Sequence, residues 1–187
     1  MPKISKKLEK ILDEANVKYE IVEHKTTYTA HDKAATTAKT KVEPAEIVKA
    51  LVLKVDKDYI LALLSSNKDL DKVKFKKAIN DWIKKERKKL EKSDPKTAKK
   101  MKVYKKVELA KEVWMRKNVQ GKVGAVPPFS KFTKLLIFVD KLLLRQKYLY
   151  LGSGEYELSV KMTPKRYEKL ETDLIKGSFT KTKAGKK

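Results

Sequence analysis

The stretch Ile47-Val48-Lys49-Ala50-Leu51-Val52-Leu53-Lys54-Val55, the polar trio Asp56-Lys57-Asp58, and then Tyr59-Ile60-Leu61-Ala62-Leu63-Leu64 together decide the fold class. Two near-continuous apolar runs separated by three polar residues predict a hairpin of two strands, because runs of this length and composition suit a sheet that is covered on both faces. Such strands belong in the middle of a sheet. Lys49 is the polar exception near the start of the first run.

Upstream of this hairpin, Ile4, Leu8, Ile11, Leu12 and Ala15 recur at helical spacing, and Asn16 offers a stop. Val17, Tyr19 and Ile21 then alternate with charged residues, the period of a half-buried strand that ends near His24. Residues 26–38 are small and hydroxyl-rich, with a short helix expected from Thr29 through Ala35, and Pro44 opens a turn of helix.

Downstream, Val73, Phe75, Ile79, Trp82, Ile83 and Leu90 predict a helix that Pro95 breaks. Met101 to Tyr104 reads as a short strand, and residues 107–119 as a helix containing Trp114. A Gly/Pro loop follows, Gly121-Lys122-Val123-Gly124-Ala125-Val126-Pro127-Pro128-Phe129. Strands are expected over 135–139 and 148–151, then the small turn Gly152-Ser153-Gly154, then the alternation Tyr156, Leu158, Val160, Met162. Thr163 as N-cap and Pro164 at the first helical position start a last helix through Tyr167, Leu170 and Leu174. Strands interleaved with helices make the class mixed α/β (α+β), a central mixed, twisted sheet surrounded by helices. Residues 1–176 read as one domain with a basic helical elaboration around 81–100, and residues 177–187 as a flexible basic tail.

Among 187 residues, 47 Lys and Arg stand against 24 Asp and Glu, a formal charge of +23. So large an excess points to a polyanionic partner, nucleic acid first, because each cation that neutralises a phosphate releases condensed counterions. Residues 84–117 are the most basic block, with 15 basic and 5 acidic side chains. The absence of cysteine excludes disulfides, thiolate metal sites and a thiol nucleophile. With only His24 and His31 as imidazoles, a three-histidine metal site is excluded as well, and neither a metal nor an organic cofactor is expected. The basic amino terminus has no apolar region behind it, and the six-residue run 59–64 is far short of a membrane span, so a soluble cytoplasmic protein is expected.

Three groups of residues, in this order and spacing, resemble the YbaK/ProX family of aminoacyl-tRNA deacylases, the editing domains related to the insertion domain of prolyl-tRNA synthetase. The first is Tyr28-Thr29-Ala30-His31-Asp32-Lys33-Ala34-Ala35 with Glu46-Ile47-Val48-Lys49-Ala50-Leu51-Val52-Leu53-Lys54, similar to the family's TAEEAA turn and the strand that bears its functional lysine. The second is Gly124-Ala125-Val126-Pro127-Pro128-Phe129, similar to its G-x-x-x-P loop. The third is Ile137-Phe138-Val139-Asp140 with Gly152-Ser153-Gly154 and Leu158-Ser159-Val160, similar to its final strands and small-residue loop.

The resemblance implies hydrolysis of the ester that joins a wrong amino acid to the tRNA 3′ end, most often on tRNA for proline carrying Cys, Ala or another small amino acid. It implies Lys49 and Gly124 as catalytic positions, and Thr29, Ala30, Ala50, Pro128, Gly152, Ser153 and Gly154 around the substrate. Such an ester needs positioning, a water and donors for the developing oxyanion more than it needs an activated nucleophile. Implied partners are the tRNA acceptor end and prolyl-tRNA synthetase. Lys84, Lys85, Arg87, Lys88 and Lys89 are the candidate phosphate contacts, and His24 and His31 are read as surface or structural residues, not catalytic ones. The chain departs from the family in having Gly-Ser-Gly in place of Ser-Gly-Gly, Ala50 in place of Thr, and no Asn-Phe-His-Pro segment. The alternative reading is a catalytically silent tRNA- or RNA-binding module of the same fold.

Overall fold

In the computed structural model, which describes residues 3–25 and 42–183, the amphipathic pattern at the amino terminus forms helix α1 (Lys6–Glu14). The Ser5 hydroxyl accepts from the Leu8 N–H at 3.3 Å, and Asn16 closes the helix with a left-handed φ of 50°. Strand β1 (Glu20–Glu23) follows, and after it a 3₁₀ turn at Pro44–Glu46. The decisive hairpin is β2 (Val48–Val55) with β3 (Asp58–Ser65), antiparallel over its whole length, from Val48 opposite Ser65 to Val55 opposite Asp58. Asp56 takes a φ of 51° at the turn, where its carboxylate accepts the N–H groups of Lys105 and Lys106.

Beyond the hairpin come β4 (Lys68–Leu70), the 22-residue helix α2 (Lys72–Ser93), the short helix α3 (Pro95–Lys100), β5 (Val107–Leu109) and helix α4 (Glu112–Asn118). Then follow α5 (Ser130–Thr133), β6 (Leu136–Asp140), β7 (Leu149–Gly152), β8 (Leu158–Met162), α6 (Pro164–Leu170), β9 (Ile175–Gly177) and β10 (Thr180–Thr182). The main sheet has the order β5-β2-β3-β6-β9, with β3, β6 and β9 parallel to one another and β2 antiparallel to its neighbours, so the hairpin is central as expected. A second sheet, β1-β8-β7, joins it through a parallel bridge between Ile47 and Tyr150, and β4 pairs with β10 in a separate ribbon.

Alternation along β2 sends Val48, Ala50 and Val52 into one core and Leu51, Leu53 and Val55 into another. The first core packs the main sheet against α1, α5, α6 and the β1-β8-β7 sheet, around Leu8, Leu12, Phe129, Leu149 and Tyr167. The second lies under α2, where Phe75, Ile79 and Ile83 face Phe138 and Phe179. Phe75 meets Phe138 and Phe179 edge to face, with ring centroids 5.5 and 5.0 Å apart. Each fully buried ring of this kind contributes roughly 1.5–3 kcal/mol.

Four expectations from the sequence are corrected. Residues 101–104 are not a strand: Tyr104 is clamped to α2 by Asn80, which accepts the Tyr104 N–H and donates to its carbonyl. The predicted helix over 107–119 divides instead, because Val107, Glu108 and Leu109 pair with Val55, Lys54 and Leu53, leaving only Glu112–Asn118 helical. Trp114 of that short helix stacks on Tyr59 of β3 at 3.4 Å. The last helix stops at Leu170, short of Leu174, and Glu171 beyond it turns inward to accept the Ser130 N–H. The basic tail is not loose over residues 177–183, since Phe179 is fully buried, Asp140 accepts its N–H at 2.8 Å, and β10 pairs with β4. The expected helix over 29–35 lies outside the described residues.

Candidate functional site

Strand β2 carries Lys49 at the place where the two larger sheets part. Its edge away from β3 is shared: Ile47 bridges to Tyr150 of β7 just before the strand begins, and Leu53, Lys54 and Val55 pair with β5 at its far end. Two residues beyond the bridge stand Lys49 on one strand and Gly152 on the other. The Lys49 side chain projects to the α2 side of the sheet, half-buried, and its ammonium donates to the Lys68 carbonyl at 2.5 Å and to Asp69 at 3.4 Å. Burial pushes its pKa below that of an ordinary lysine and Lys183 nearby adds to the fall, while Asp69 opposes both. Ala50 points the other way, against the first core.

The two glycine-bearing loops interlock through their backbones. Lys122 N–H donates to the Gly154 carbonyl at 3.1 Å, and Gly154 N–H donates to the Ala125 carbonyl at 2.7 Å. Gly121, Gly124 and Gly154 all hold left-handed φ values, 99°, 88° and 93°. Gly152 is needed for a different reason: a Cβ there would lie 2.5 Å from the Val126 carbonyl oxygen and 2.8 Å from that of Ala125, both backbone atoms. Behind the loop, Tyr167 donates its hydroxyl to the Pro128 carbonyl at 2.5 Å from a fully buried position.

Within this arrangement Gly124 is exposed, whereas Pro128, Gly152, Ser153 and Gly154 are buried. The Ser153 hydroxyl is spent inside its own loop, donating to the Leu158 carbonyl at 2.7 Å and accepting the Glu155 N–H at 3.2 Å. His24 is buried, its Nε2 3.0 Å from the Ser159 hydroxyl and its Nδ1 2.9 Å from the Lys25 carbonyl, a structural setting. Thr29, Ala30 and His31 lie outside the described residues. Lys84, Lys85, Arg87, Lys88 and Lys89 are all exposed on α2, and Lys89 pairs with Glu86 at 2.7 Å. Among the described residues no cluster of three metal-ligating side chains occurs, and no helix is long and apolar enough to cross a membrane.

Sequence reasoning missed Asp69 and Lys183 as neighbours of Lys49. The one signal available was Phe179, a lone aromatic residue in a polar tail.

Residues 91–170 match the family model of the aminoacyl-tRNA editing domain, a span that holds both glycine loops and ends with α6. The resemblance read in the sequence holds. Solved structures match the fold over nearly the whole chain. The crystal structure described as that of "a putative trans-editing enzyme for prolyl tRNA synthetase" superposes with a TM-score of 0.71 at 21% identity, covering 96% of this chain and 99% of that one. A hypothetical protein superposes with a TM-score of 0.72 at 18% identity, covering 94% of this chain and all of that one. No curated protein matches the chain. Lys49 lies outside the span of the editing-domain match.

Proposed function

We propose that the protein is an aminoacyl-tRNA deacylase, hydrolysing the ester of mischarged tRNA, with tRNA for proline carrying Cys, Ala or another small amino acid as its substrate. The observation that carries the reading is the interlocked pair of glycine loops, within the span that matches the editing-domain family, next to the strand that bears a half-buried lysine. In this reading the 3′-terminal ester lies between Lys49 and Gly124. Water adds to the ester carbonyl carbon, backbone N–H groups at the exposed, left-handed Gly124 meet the developing oxyanion, and the C–O bond to the ribose breaks as the ribose oxygen takes the proton. Lys49 holds a substrate oxygen or phosphate as a cation, exchanging its bonds to Lys68 and Asp69 for bonds to the ligand. The buried Gly152, Ser153 and Gly154 shape the wall through backbone, with Ala50 and Pro128 behind it, and Thr29 and Ala30 are proposed to complete the pocket. The bases of α2, Lys84 to Lys89, face acceptor-stem phosphates, and prolyl-tRNA synthetase is the proposed partner.

A second reading, a silent tRNA-binding module, is favoured by one observation, that the Lys49 ammonium already has two protein acceptors. The two are separated by incubating the protein with tRNA for proline charged with Cys, Ala, Ser or Pro, beside Lys49→Ala. Loss of one mischarged ester, with Pro-tRNA spared and a rate about 10²- to 10³-fold lower in the variant, is the expected result. Tight tRNA binding with every ester decaying at its uncatalysed rate would leave the binding module as the function.

A further inference from the structure

The cations of helix α2 are joined on one flank by lysines from other parts of the chain. Between α2 and the β9 edge runs a groove of about 410 Å³ lined by Lys74, Lys77 and Lys85 of α2, by Lys141 after β6, and by Lys176 in β9. These five come from three separate parts of the chain, and four of them, all but Lys85, lie outside the 84–117 block, so the cluster is a product of the fold. One acid, Asp81, lines the groove with them and pairs with Lys77 at 2.8 Å, while Lys176 also pairs with Glu168. The remaining charge is strongly positive. Gly177, Ser178 and Trp82 are also part of the lining.

The same face and the same end of the sheet carry Lys49. It projects to the α2 side, opposite Leu64 near the end of β3, and Gly177 is reached at the corresponding end of β9, opposite Asp140. Three strand spacings, about 14 Å, separate β2 from β9 across the sheet. The C-terminal ribbon spans that interval. Lys183 lies close enough to Lys49 to depress its pKa, Lys181 acts in the same sense on Asp71 at the α2 N-cap, and Lys74 donates to the Thr180 carbonyl at 3.4 Å. Cations therefore line a continuous path from Lys49 along β10 to Lys74 and into the groove.

We propose that this path is a binding track for the phosphodiester backbone of RNA, which enters along Lys85, Lys77, Lys141 and Lys74 and delivers its 3′ end past Lys181 and Lys183 to Lys49. The lysines act as point charges on phosphates, so the track fixes orientation without reading sequence. The proposal rests on the reading that the substrate is a tRNA, and it extends the contact surface from Lys84 to Lys89 of α2 to Lys74, Lys77, Lys141, Lys181 and Lys183.

The test is the salt dependence of binding to uncharged tRNA, measured by fluorescence anisotropy between about 50 and 200 mM salt. The triple variant Lys74→Gln, Lys77→Gln, Lys141→Gln, which leaves Lys84 to Lys89 intact, is compared with Lys6→Gln, Lys165→Gln, Lys169→Gln, three exposed lysines on α1 and α6, which pack on the opposite side of the sheet. Each phosphate contact removed lowers the slope of log K against log salt by about one. A slope lower by two to three in the groove variant, with the control unchanged, is the expected result. An unchanged slope in the groove variant, or an equal loss in both, overturns the track. Thermal melts of both variants guard against misfolding, and Lys181→Gln with Lys183→Gln gives a second reading of the same path on the ribbon. Because uncharged tRNA is the probe, the failure of the track is seen separately from a failure of deacylation. Where mischarged tRNA is hydrolysed, the groove variant raises KM and leaves kcat in place, since it removes contacts made equally in ground and transition states.

Discussion

On one side of β2 the candidate site is built from backbone, and on the other from charged side chains. Toward β7, two glycine-rich loops close on each other through main-chain hydrogen bonds, with Gly152 in a space that admits no Cβ and Pro128 held by the Tyr167 hydroxyl. Toward α2, Lys49 leans on a carbonyl and a carboxylate of β4, and the residues that hold β4 in place come from the end of the chain. The first side is rigid because backbone contacts have nowhere to relax. The second is adjustable, since an ammonium on a flexible stem can exchange one acceptor for another. The proposed hydrolysis draws on both, a fixed position for an oxyanion and a movable cation.

The comparison is broken most severely at Phe179. Truncation to alanine empties a fully buried ring site against Phe75, with an expected loss of about 3–5 kcal/mol. Scanning calorimetry should show a fall in Tm of roughly 6–20 °C. Hydrogen exchange should show the amides of β10 released first, with the glycine loops keeping their protection. If the loops lose protection at the same rate, the two sides are one cooperative unit and the contrast drawn here does not exist.

Gly152→Ala tests the rigid side alone. The added Cβ meets two carbonyl oxygens of the facing loop, so about 1–3 kcal/mol of destabilisation is expected from overpacking, read in urea unfolding. A variant as stable as the parent would mean that the loops yield, and that their interlock is looser than its geometry.

The smallest effect sharpens the adjustable side. Burial holds the folded-state pKa of Lys49 below its unfolded value, so between those two values the unfolded chain binds more protons and stability rises with pH. Deacylation that uses the cation falls across the same window, earlier in pH than an ordinary lysine would allow. Lys49→Arg, which stays charged throughout, should remove that descending limb from the pH–rate profile even where its absolute rate is lower. A limb that survives in the arginine variant belongs to another group.

How much was legible in the sequence follows the same division. The central hairpin, the first helix with its stop at Asn16, the last helix behind Thr163 and Pro164, and the two glycine loops were all readable, since local pattern and turn chemistry specify them. Residues 107–119 were misread because a helical pattern of apolar residues is overruled when Val107 and Leu109 find an open strand edge at Val55 and Leu53. The tail was misread because its composition is that of a disordered segment, and a single phenylalanine is a weak signal until a cavity exists to receive it.

By itself the sequence determined the class of fold, the large excess of positive charge and the position of Lys49 on a buried strand, because each of these follows from composition or from a period of two or 3.6 residues. Only the tertiary structure decided which acceptors meet that lysine, that Ser153 is spent on its own loop, and that lysines from α2, from the turn after β6 and from β9 share one groove. Those facts depend on contacts between residues tens of positions apart, and such contacts are fixed by how the layers pack, not by any local run of residues.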